Sequence, residues 1–156
     1  MDMIRRTILK GAGATGVLAG LLAAGVLKPT LAYASDWNKA AFEAKDFEEA
    51  MKTIGAAGAG DNKDLVLKAP EIAENGAVVP IDVTSSIPNT TSISILVKMN
   101  PFPLTAHFDF SNGAMADASV RLKVAQTSLI RAVAKADGKY YSAQKEVKVT
   151  VGGCGG

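Results

Sequence analysis

The only cysteine of the chain, Cys154, stands third from the end in the run Gly152-Gly153-Cys154-Gly155-Gly156. A single thiol cannot form a disulfide within its own chain, and glycines have no side chains with which to bury it. No lysine, arginine or histidine follows Thr150, so nothing close in sequence stabilises the thiolate, which is the reactive form. The tail therefore presents a thiol without activating it, which is typical of a carrier and not of an enzyme.

The glycines around the cysteine predict a flexible arm over residues 152–156. Val147, Val149 and Val151 alternate with polar residues as in a strand, and the alternation stops at the first glycine. Glycine adopts positive and negative φ with similar ease, so the segment is expected to bend freely. From Val151 to Cys154 an extended chain reaches about 10 Å. We therefore interpret Gly152, Gly153, Gly155 and Gly156 as a swinging arm that carries the cysteine into a channel of a partner.

The only histidine, His107, is the other residue that suggests chemistry. The alternation of its segment places it with Thr105 and Asp109 on the polar face of a strand, where a solvated side chain is the expected role. A metal site would need further ligands at suitable spacing, and the sequence does not supply them. A Cys–His catalytic pair would need His107 to be held within hydrogen-bond reach of Cys154, which a flexible tail would not achieve.

Acidic and glycine-rich stretches elsewhere do not predict a second site. Four carboxylates alternate with lysines along a predicted helix, as on a solvated face, and they are Glu43, Asp46, Glu48 and Glu49. The glycine-rich residues 55–60 follow a helix and precede a strand, which is the reverse of the order in a phosphate-binding loop. We therefore expect no catalytic residue, no metal site and no cofactor.

The first 34 residues have the pattern of an export signal. Arg5-Arg6 precedes an apolar run over residues 11–27, and Ala32-Tyr33-Ala34 matches a small-residue cleavage site. The arginine pair is typical of a twin-arginine signal, which predicts export of the folded protein to the periplasm. A retained anchor is the alternative, although the apolar run is short beside the span of about 20 residues that a bilayer requires. We expect the mature protein to begin near Ser35.

The charge of the chain argues against binding through a strong electrostatic field. The net charge is +2 over 156 residues, and the leader contributes +3 of it, so the mature part is close to −1. The charged residues of the leader are Arg5, Arg6, Lys10, Lys28 and Asp2. A near-neutral domain lacks the basic patch of a nucleic-acid-binding protein and the polybasic segment of a membrane-surface protein. The remaining length is sufficient for one domain with its own core.

Residues 35–61 are predicted to form one amphipathic helix followed by a loop. The segment 36–52 is rich in alanine and glutamate, and Ser35 or Asp36 is suited to cap its start. Gly55 is expected to end the helix. The apolar positions along one helical stripe are Ala40, Phe47, Ala50, Met51 and Ile54.

Residues 62–151 alternate between apolar and polar side chains in six or seven segments. Asp137-Gly138 is typical of a two-residue hairpin turn, and residues 100–103 and 111–113 are predicted loops. The alternation predicts an all-β fold, an antiparallel β-sandwich whose strands each have one buried and one wet face. The apolar members are Leu65 and Leu67; Val79, Ile81 and Val83; Ile93, Ile95 and Val97; Leu104, Ala106, Phe108 and Phe110; Val120, Leu122 and Val124; and Val147, Val149 and Val151.

Three segments resemble the SoxY family, the sulfur-carrier subunits of the periplasmic thiosulfate-oxidising (Sox) system. They are the ending "VGGCGG" preceded by "KYYSAQKEVKVT", the segment "AFEAKDFEEAMKTIG", and the segment "NPFPLTAHFDF". The terminal motif is specific when it is combined with the export signal and the chain length. The resemblance implies an immunoglobulin-like β-sandwich that forms a heterodimer with a SoxZ-like subunit.

The resemblance also implies that Cys154 is the covalent attachment point for sulfur. In the family scheme a c-type cytochrome (SoxXA) oxidatively joins thiosulfate to the cysteine as an S-thiosulfonate. A hydrolase (SoxB) then releases sulfate, and a molybdenum–haem sulfane dehydrogenase (SoxCD), where present, oxidises the remaining sulfane sulfur. The chain itself would be a carrier subunit and not an enzyme.

Two other functions remain compatible with the tail. A ubiquitin-like sulfur donor would carry sulfur as a thiocarboxylate on the terminal glycine, Gly156, but it would need ATP-dependent adenylation, which an exported protein lacks. An exported β-sandwich interaction subunit would use Cys154 only for an intermolecular disulfide, as an odd cysteine in an exported protein allows.

Overall fold

The computed structural model describes residues 38–150. The predicted export signal, residues 1–34, and the predicted arm, residues 152–156, lie outside the described residues. Within the described part, no helix has the length and apolar character needed to cross a membrane.

Two short helices, α1 (Lys39–Glu43) and α2 (Phe47–Thr53), replace the single helix predicted from the sequence. The break falls at Asp46, whose backbone is extended and whose carboxylate accepts hydrogen bonds from the N–H groups of Glu48 (2.9 Å) and Glu49 (3.0 Å). An aspartate in this role is a strong N-cap, so it starts a new helix. The predicted caps lie outside the described residues, and Asn38 caps α1.

The predicted end of the helical region and most of its apolar stripe are confirmed. Gly55 follows α2 with a φ of 80°, a left-handed conformation that favours glycine after a helix. Phe47, Ala50 and Met51 are buried as expected. The prediction for Ala40 was wrong: this residue is exposed because α1 is a separate helix with its own orientation.

Within residues 38–150, nine strands form two packed sheets, which confirms the predicted β-sandwich. The larger sheet has the order β1-β9-β8-β5-β6, with β3 also paired to β9, and the smaller sheet has the order β2-β4-β7. The pairings are antiparallel except for β1 and β3, which both run parallel to β9. The strands are β1 (Gly60–Asp61), β2 (Leu65–Lys68), β3 (Ile72–Ala73), β4 (Val79–Ser85), β5 (Thr90–Val97), β6 (Leu104–Asp109), β7 (Asp117–Leu122), β8 (Ser128–Ala136) and β9 (Lys139–Val149).

The main core lies between the two sheets, where the apolar residues predicted from the alternation face each other. Ile81 of the smaller sheet and Ile93 and Ile130 of the larger sheet are completely buried in this cluster. Alternate apolar residues from both inner faces fill such a core, which is the usual packing of aligned sheets. The sandwich therefore follows from the period-two pattern of its strands.

A second apolar cluster lies on the outer face of the larger sheet, where the helices pack. Phe47 and Met51 of the helical region contact a cluster that includes Leu96 of β5 and Val133 of β8. The strand β5 is therefore covered on both faces. This explains why Ser94, predicted to be wet, is buried.

Leu104 belongs to this outer cluster and not to the face of Ala106, with which it was predicted to align. The pairing of β5 with β6 shifts register between Ile95 and Leu96, so that Ile95 faces Ala106 and Leu96 faces Leu104. A bulge of one residue reverses the face on which the following side chains lie.

The predicted hairpin turn at Asp137-Gly138 is confirmed. Both residues have positive φ, 48° and 74°, and the flanking residues Ala136 and Lys139 pair directly. Positive φ at both central residues is typical of type I′ turns, whose twist matches the twist of the two antiparallel strands that they join. The turn joins β8 to β9, the longest strand, which leads to the C-terminal tail.

The cap at Asp46 provides a test of the helix boundary. We expect Asp46→Ala to lower the free energy of unfolding by about 1 kcal/mol, because two backbone N–H groups lose their acceptor. Urea denaturation monitored by circular dichroism measures this change. The neighbouring Lys45→Ala is the matched control and should be close to neutral; equal stability of the two variants would contradict the assigned cap.

Candidate functional site

The structure gives the point from which the predicted arm leaves the domain. Cys154 and its flanking glycines lie outside the described residues, and the last described residue is Thr150, directly after β9. Cys154 is the fourth residue after Thr150, so covalent geometry limits their Cα atoms to a separation of about 14 Å. Any reaction of the cysteine must therefore take place near this end of β9.

The end of β9 is held by hydrogen bonds on both sides. On one side the N–H groups of Lys148 and Thr150 donate to the carbonyls of Glu71 (2.9 Å) and Ala73 (3.2 Å), next to and within β3. On the other side the N–H of Val149 donates to the Thr127 hydroxyl (3.0 Å). The base of the tail is thus part of the sheet and not a loose strand end.

Gly76 brings another loop against the same strand end. Its carbonyl accepts a hydrogen bond from the N–H of Val124 (2.7 Å). A Cβ on Gly76 would lie 2.5 Å from the Val124 carbonyl oxygen and 2.8 Å from a Val149 methyl carbon, which is closer than real Cβ contacts. Only glycine allows this approach of the backbone.

A third loop completes this end of the sandwich through Asn100. The Asn100 side chain donates to the Lys123 carbonyl (2.7 Å) and accepts from the N–H of Ala125 (3.0 Å). The N–H of Met99 donates to the Ser128 hydroxyl (3.0 Å). We call the surface formed by residues 70–78, 98–103, 123–128 and Thr150 the arm platform. Hydrogen bonds join all its segments into one support around the start of the tail.

His107 lies far from the arm platform and takes part in a local hydrogen-bond chain. Its Nδ1 is 2.8 Å from the Ser94 hydroxyl, and its Nε2 is 3.2 Å from a carboxylate oxygen of Asp109. The prediction of a merely solvated side chain was therefore incomplete. Because Ser94 is only 4% exposed, the imidazole supplies a hydrogen-bond partner for a nearly buried hydroxyl.

The sheet register shows how far His107 is from the tail. His107 is level with Ser94, Val133 and Ser142 across four neighbouring strands. It is therefore about 14 Å from β9 across the sheet, and Ser142 is about 26 Å from Thr150 along the strand. The combined distance is about 30 Å, roughly twice the reach of Cys154 from Thr150. The chain's own histidine cannot act as the base for its cysteine.

Among residues 38–150, no group of three or more His, Cys, Asp or Glu side chains is arranged to hold a metal ion. No sequence pattern marks Gly76, Asn100 or Thr127 as residues that position the site. Asn75-Gly76 is a turn signal, but nothing local in the sequence indicates contact with Val124 or Val149.

Known sulfur oxidation proteins are similar to this chain in sequence and in fold. The family described as sulfur oxidation protein SoxY matches residues 50–154, a range that includes the arm platform and Cys154. The solved structure of the sulfur carrier protein SoxY from Chlorobium limicola f thiosulfatophilum is 39% identical to this chain, with a TM-score of 0.60. The match covers 67% of this chain and 96% of the Chlorobium chain.

A second solved structure, an engineered protein, matches with a TM-score of 0.41 and 12% identity over 56% of this chain and 20% of its own, which is too distant to support an argument. No curated protein matches this chain significantly.

The close packing at Gly76 provides a test of the platform. We expect Gly76→Ala to lower the free energy of unfolding by roughly 1–3 kcal/mol, because the new methyl group would collide with the Val124 carbonyl oxygen and a Val149 methyl group. Chemical denaturation measures the loss, and hydrogen exchange should show faster exchange at the Val124 and Thr150 amides. Gly58→Ala is the matched control, since a Cβ there meets nothing within 4 Å. Equal stability of the two variants would overturn the assigned packing.

Proposed function

This chain belongs to the SoxY family of sulfur oxidation proteins, and on that premise we propose that it carries thiosulfate-derived sulfur covalently on Cys154 and presents it to partner enzymes. The observation that carries the proposal is the extent of the family match, which runs through the β-sandwich and reaches the glycine-flanked cysteine. The held end of β9 supports it further, because a carrier needs its reactive group on a tether with a fixed origin.

The loading step joins two sulfur atoms by oxidation. The Cys154 thiol loses its proton, its sulfur bonds to the terminal sulfur of thiosulfate, and two electrons leave to the haem groups of a SoxXA-type cytochrome. The product is a cysteine S-thiosulfonate with one negative charge. This chain contributes the nucleophilic sulfur and the position of that sulfur, and the cytochrome contributes the oxidant.

The later steps regenerate the carrier. A SoxB-type hydrolase uses one water to cleave the sulfur–sulfonate bond, which releases sulfate and a proton and leaves a persulfide on Cys154. Where a SoxCD-type dehydrogenase is present, it oxidises the outer sulfur to a sulfonate with three waters and six electrons. A second hydrolysis then releases sulfate and restores the thiol.

The distance between the chain's histidine and the origin of the arm favours a carrier over an enzyme. Within residues 38–150 the only histidine lies about 30 Å from the arm's origin by strand spacing and rise. Because the thiolate is the reactive form, a thiol with no base held beside it reacts slowly. Activation would then come from each partner enzyme, so that the sulfur reacts only where a partner binds it.

Export and pairing complete the proposal. The leader over residues 1–34 would direct the folded chain through the twin-arginine pathway to the periplasm, where the Sox enzymes act. A SoxZ-like subunit would form a heterodimer with the sandwich before export. The alternative of a disulfide-linking subunit predicts a reducible dimer through Cys154 and no sulfur adduct.

Replacing the cysteine tests the function directly. We expect Cys154→Ser to reduce thiosulfate-dependent electron transfer in the reconstituted system to background, because a hydroxyl cannot form the sulfur–sulfur bond. The thermal midpoint should not change, since the residue lies beyond the last strand. Intact-mass measurement of the native protein should place a thiosulfonate or sulfane adduct on Cys154. Normal turnover by the variant would reject the carrier function, and an adduct on the terminal carboxyl would favour the thiocarboxylate donor.

Stiffening the tail tests the arm. We expect Gly153→Pro to slow sulfur transfer by roughly ten- to hundredfold, because the fixed φ of proline misplaces the sulfur inside a partner. Single-turnover rates of sulfate release from the loaded protein measure the effect. Gly153→Ala is the graded control, and its rate of sulfate release should lie between the rates of the unaltered protein and of Gly153→Pro. The reaction of the free thiol with iodoacetamide should be unchanged in both variants, and equal transfer rates for all three proteins would contradict the arm mechanism.

A further inference from the structure

We propose that the apolar side chains of the arm platform form the docking surface for the enzymes that process Cys154. The inference rests on the proposed carrier function and adds the surface that each processing enzyme must recognise. The expected occupant is the apolar rim around the mouth of an enzyme channel that receives the arm.

Exposed large apolar side chains are concentrated on this surface. The described residues include six of them, at positions 66, 72, 78, 99, 102 and 115. Four belong to the arm platform, with relative exposures of 59% for Ile72, 50% for Val78, 48% for Met99 and 49% for Phe102. Exposed apolar residues gathered at one end of a domain mark interaction sites more often than scattered ones.

These side chains project from backbone that is already fixed. Met99 donates its N–H to the Ser128 hydroxyl, and the carbonyl of Pro103, next to Phe102, accepts from the N–H of Val97 (2.8 Å). Ile72 lies in β3, which pairs with β9. Little loop ordering is therefore needed for binding, which lowers its entropic cost.

The length of the tail determines where an enzyme must bind. Six residues follow Thr150, and the cysteine is the fourth of them. An enzyme that encloses the sulfur must bring its channel mouth within about 14 Å of Thr150. Since Thr150 is itself hydrogen-bonded to Ala73, one residue from Ile72, the channel rim must lie against the arm platform.

The charges around the apolar residues favour a small interface with a polar rim. Exposed lysines and glutamates of both signs surround the patch, namely Lys98, Lys123, Lys148, Glu71 and Glu74. An apolar centre with a charged periphery is the usual anatomy of an interface. Because charges of both signs are present, binding should depend mainly on the apolar contacts. A small interface of this kind also suits an enzyme that must release the carrier after the reaction.

The same geometry argues against a permanent partner at this position. A stable subunit or second copy seated over the arm platform would occupy the space within 14 Å of Thr150 that the enzymes need. The permanent interface should therefore lie on another face of the sandwich. Evidence that a stable subunit or a second copy of this chain covers the arm platform would overturn the proposal.

The experiment compares the same substitution at two ends of the domain. Met99→Ser and Phe102→Ser remove apolar area from the arm platform. Met115→Ser is the matched control: Met115 is 82% exposed and precedes Ala116, whose carbonyl binds Ser85 at the far end of β4. Each variant is made in the exported complex and loaded with thiosulfate. The measured quantities are KM and kcat for sulfate release by the SoxB-type hydrolase of the same organism.

We expect Met99→Ser and Phe102→Ser each to raise KM by roughly five- to tenfold, the size of a typical interface contact, with kcat unchanged. Met115→Ser should leave KM within about twofold. The rate of Cys154 alkylation by iodoacetamide should be the same in all variants, because this small reagent needs no docking surface.

Three results would overturn the docking surface. One is an unchanged KM for both platform variants. The others are seen by size-exclusion chromatography: loss of the stable subunit would assign the patch to that subunit, and dissociation of a homo-oligomer would assign it to a second copy. Failure of the carrier function looks different, because the unaltered protein would then carry no sulfur on Cys154 and no KM could be measured.

Discussion

The hydrogen bonds that hold the last residues of β9 are the interaction on which the other features depend. In the proposed carrier, Cys154 is the fourth residue after Thr150, and its sulfur can be delivered reproducibly only if the origin of this tether does not move. Bonds from Lys148 and Thr150 to the segment around β3, and from Val149 to Thr127, place that origin inside the sheet. Without the short parallel strand β3, this end of β9 would be a free edge.

The sandwich supplies the rigidity that this origin needs. One apolar cluster joins the two sheets, and a second joins the helices to the outer face of the larger sheet. The central strand β5 is covered on both sides, and its buried Ser94 is satisfied by His107. The one histidine of the chain is thus used in maintaining the fold, about 30 Å from the end of β9.

In the proposed function this chain presents the thiol and each partner enzyme activates it, and this division has a chemical advantage for a carrier. A thiol that is activated only inside its enzymes is less exposed to oxidation and disulfide exchange elsewhere. The cost is that every enzyme must recognise the carrier as well as the sulfur. The concentration of exposed apolar side chains around the arm's origin is the feature of the described surface best suited to that recognition.

The sequence by itself determined the local features: the period-two strands of a sandwich, the hairpin turn at Asp137-Gly138, the helix end at Gly55 and a lone cysteine among glycines. These are encoded by neighbouring residues and by backbone preferences that need no distant partner. The tertiary structure alone decided which serines are buried, where the β6 bulge turns Leu104, and how Gly76 and Thr127 hold the last strand. Those features depend on contacts between residues far apart in the chain, such as Gly76 with Val124, and no local pattern specifies such contacts.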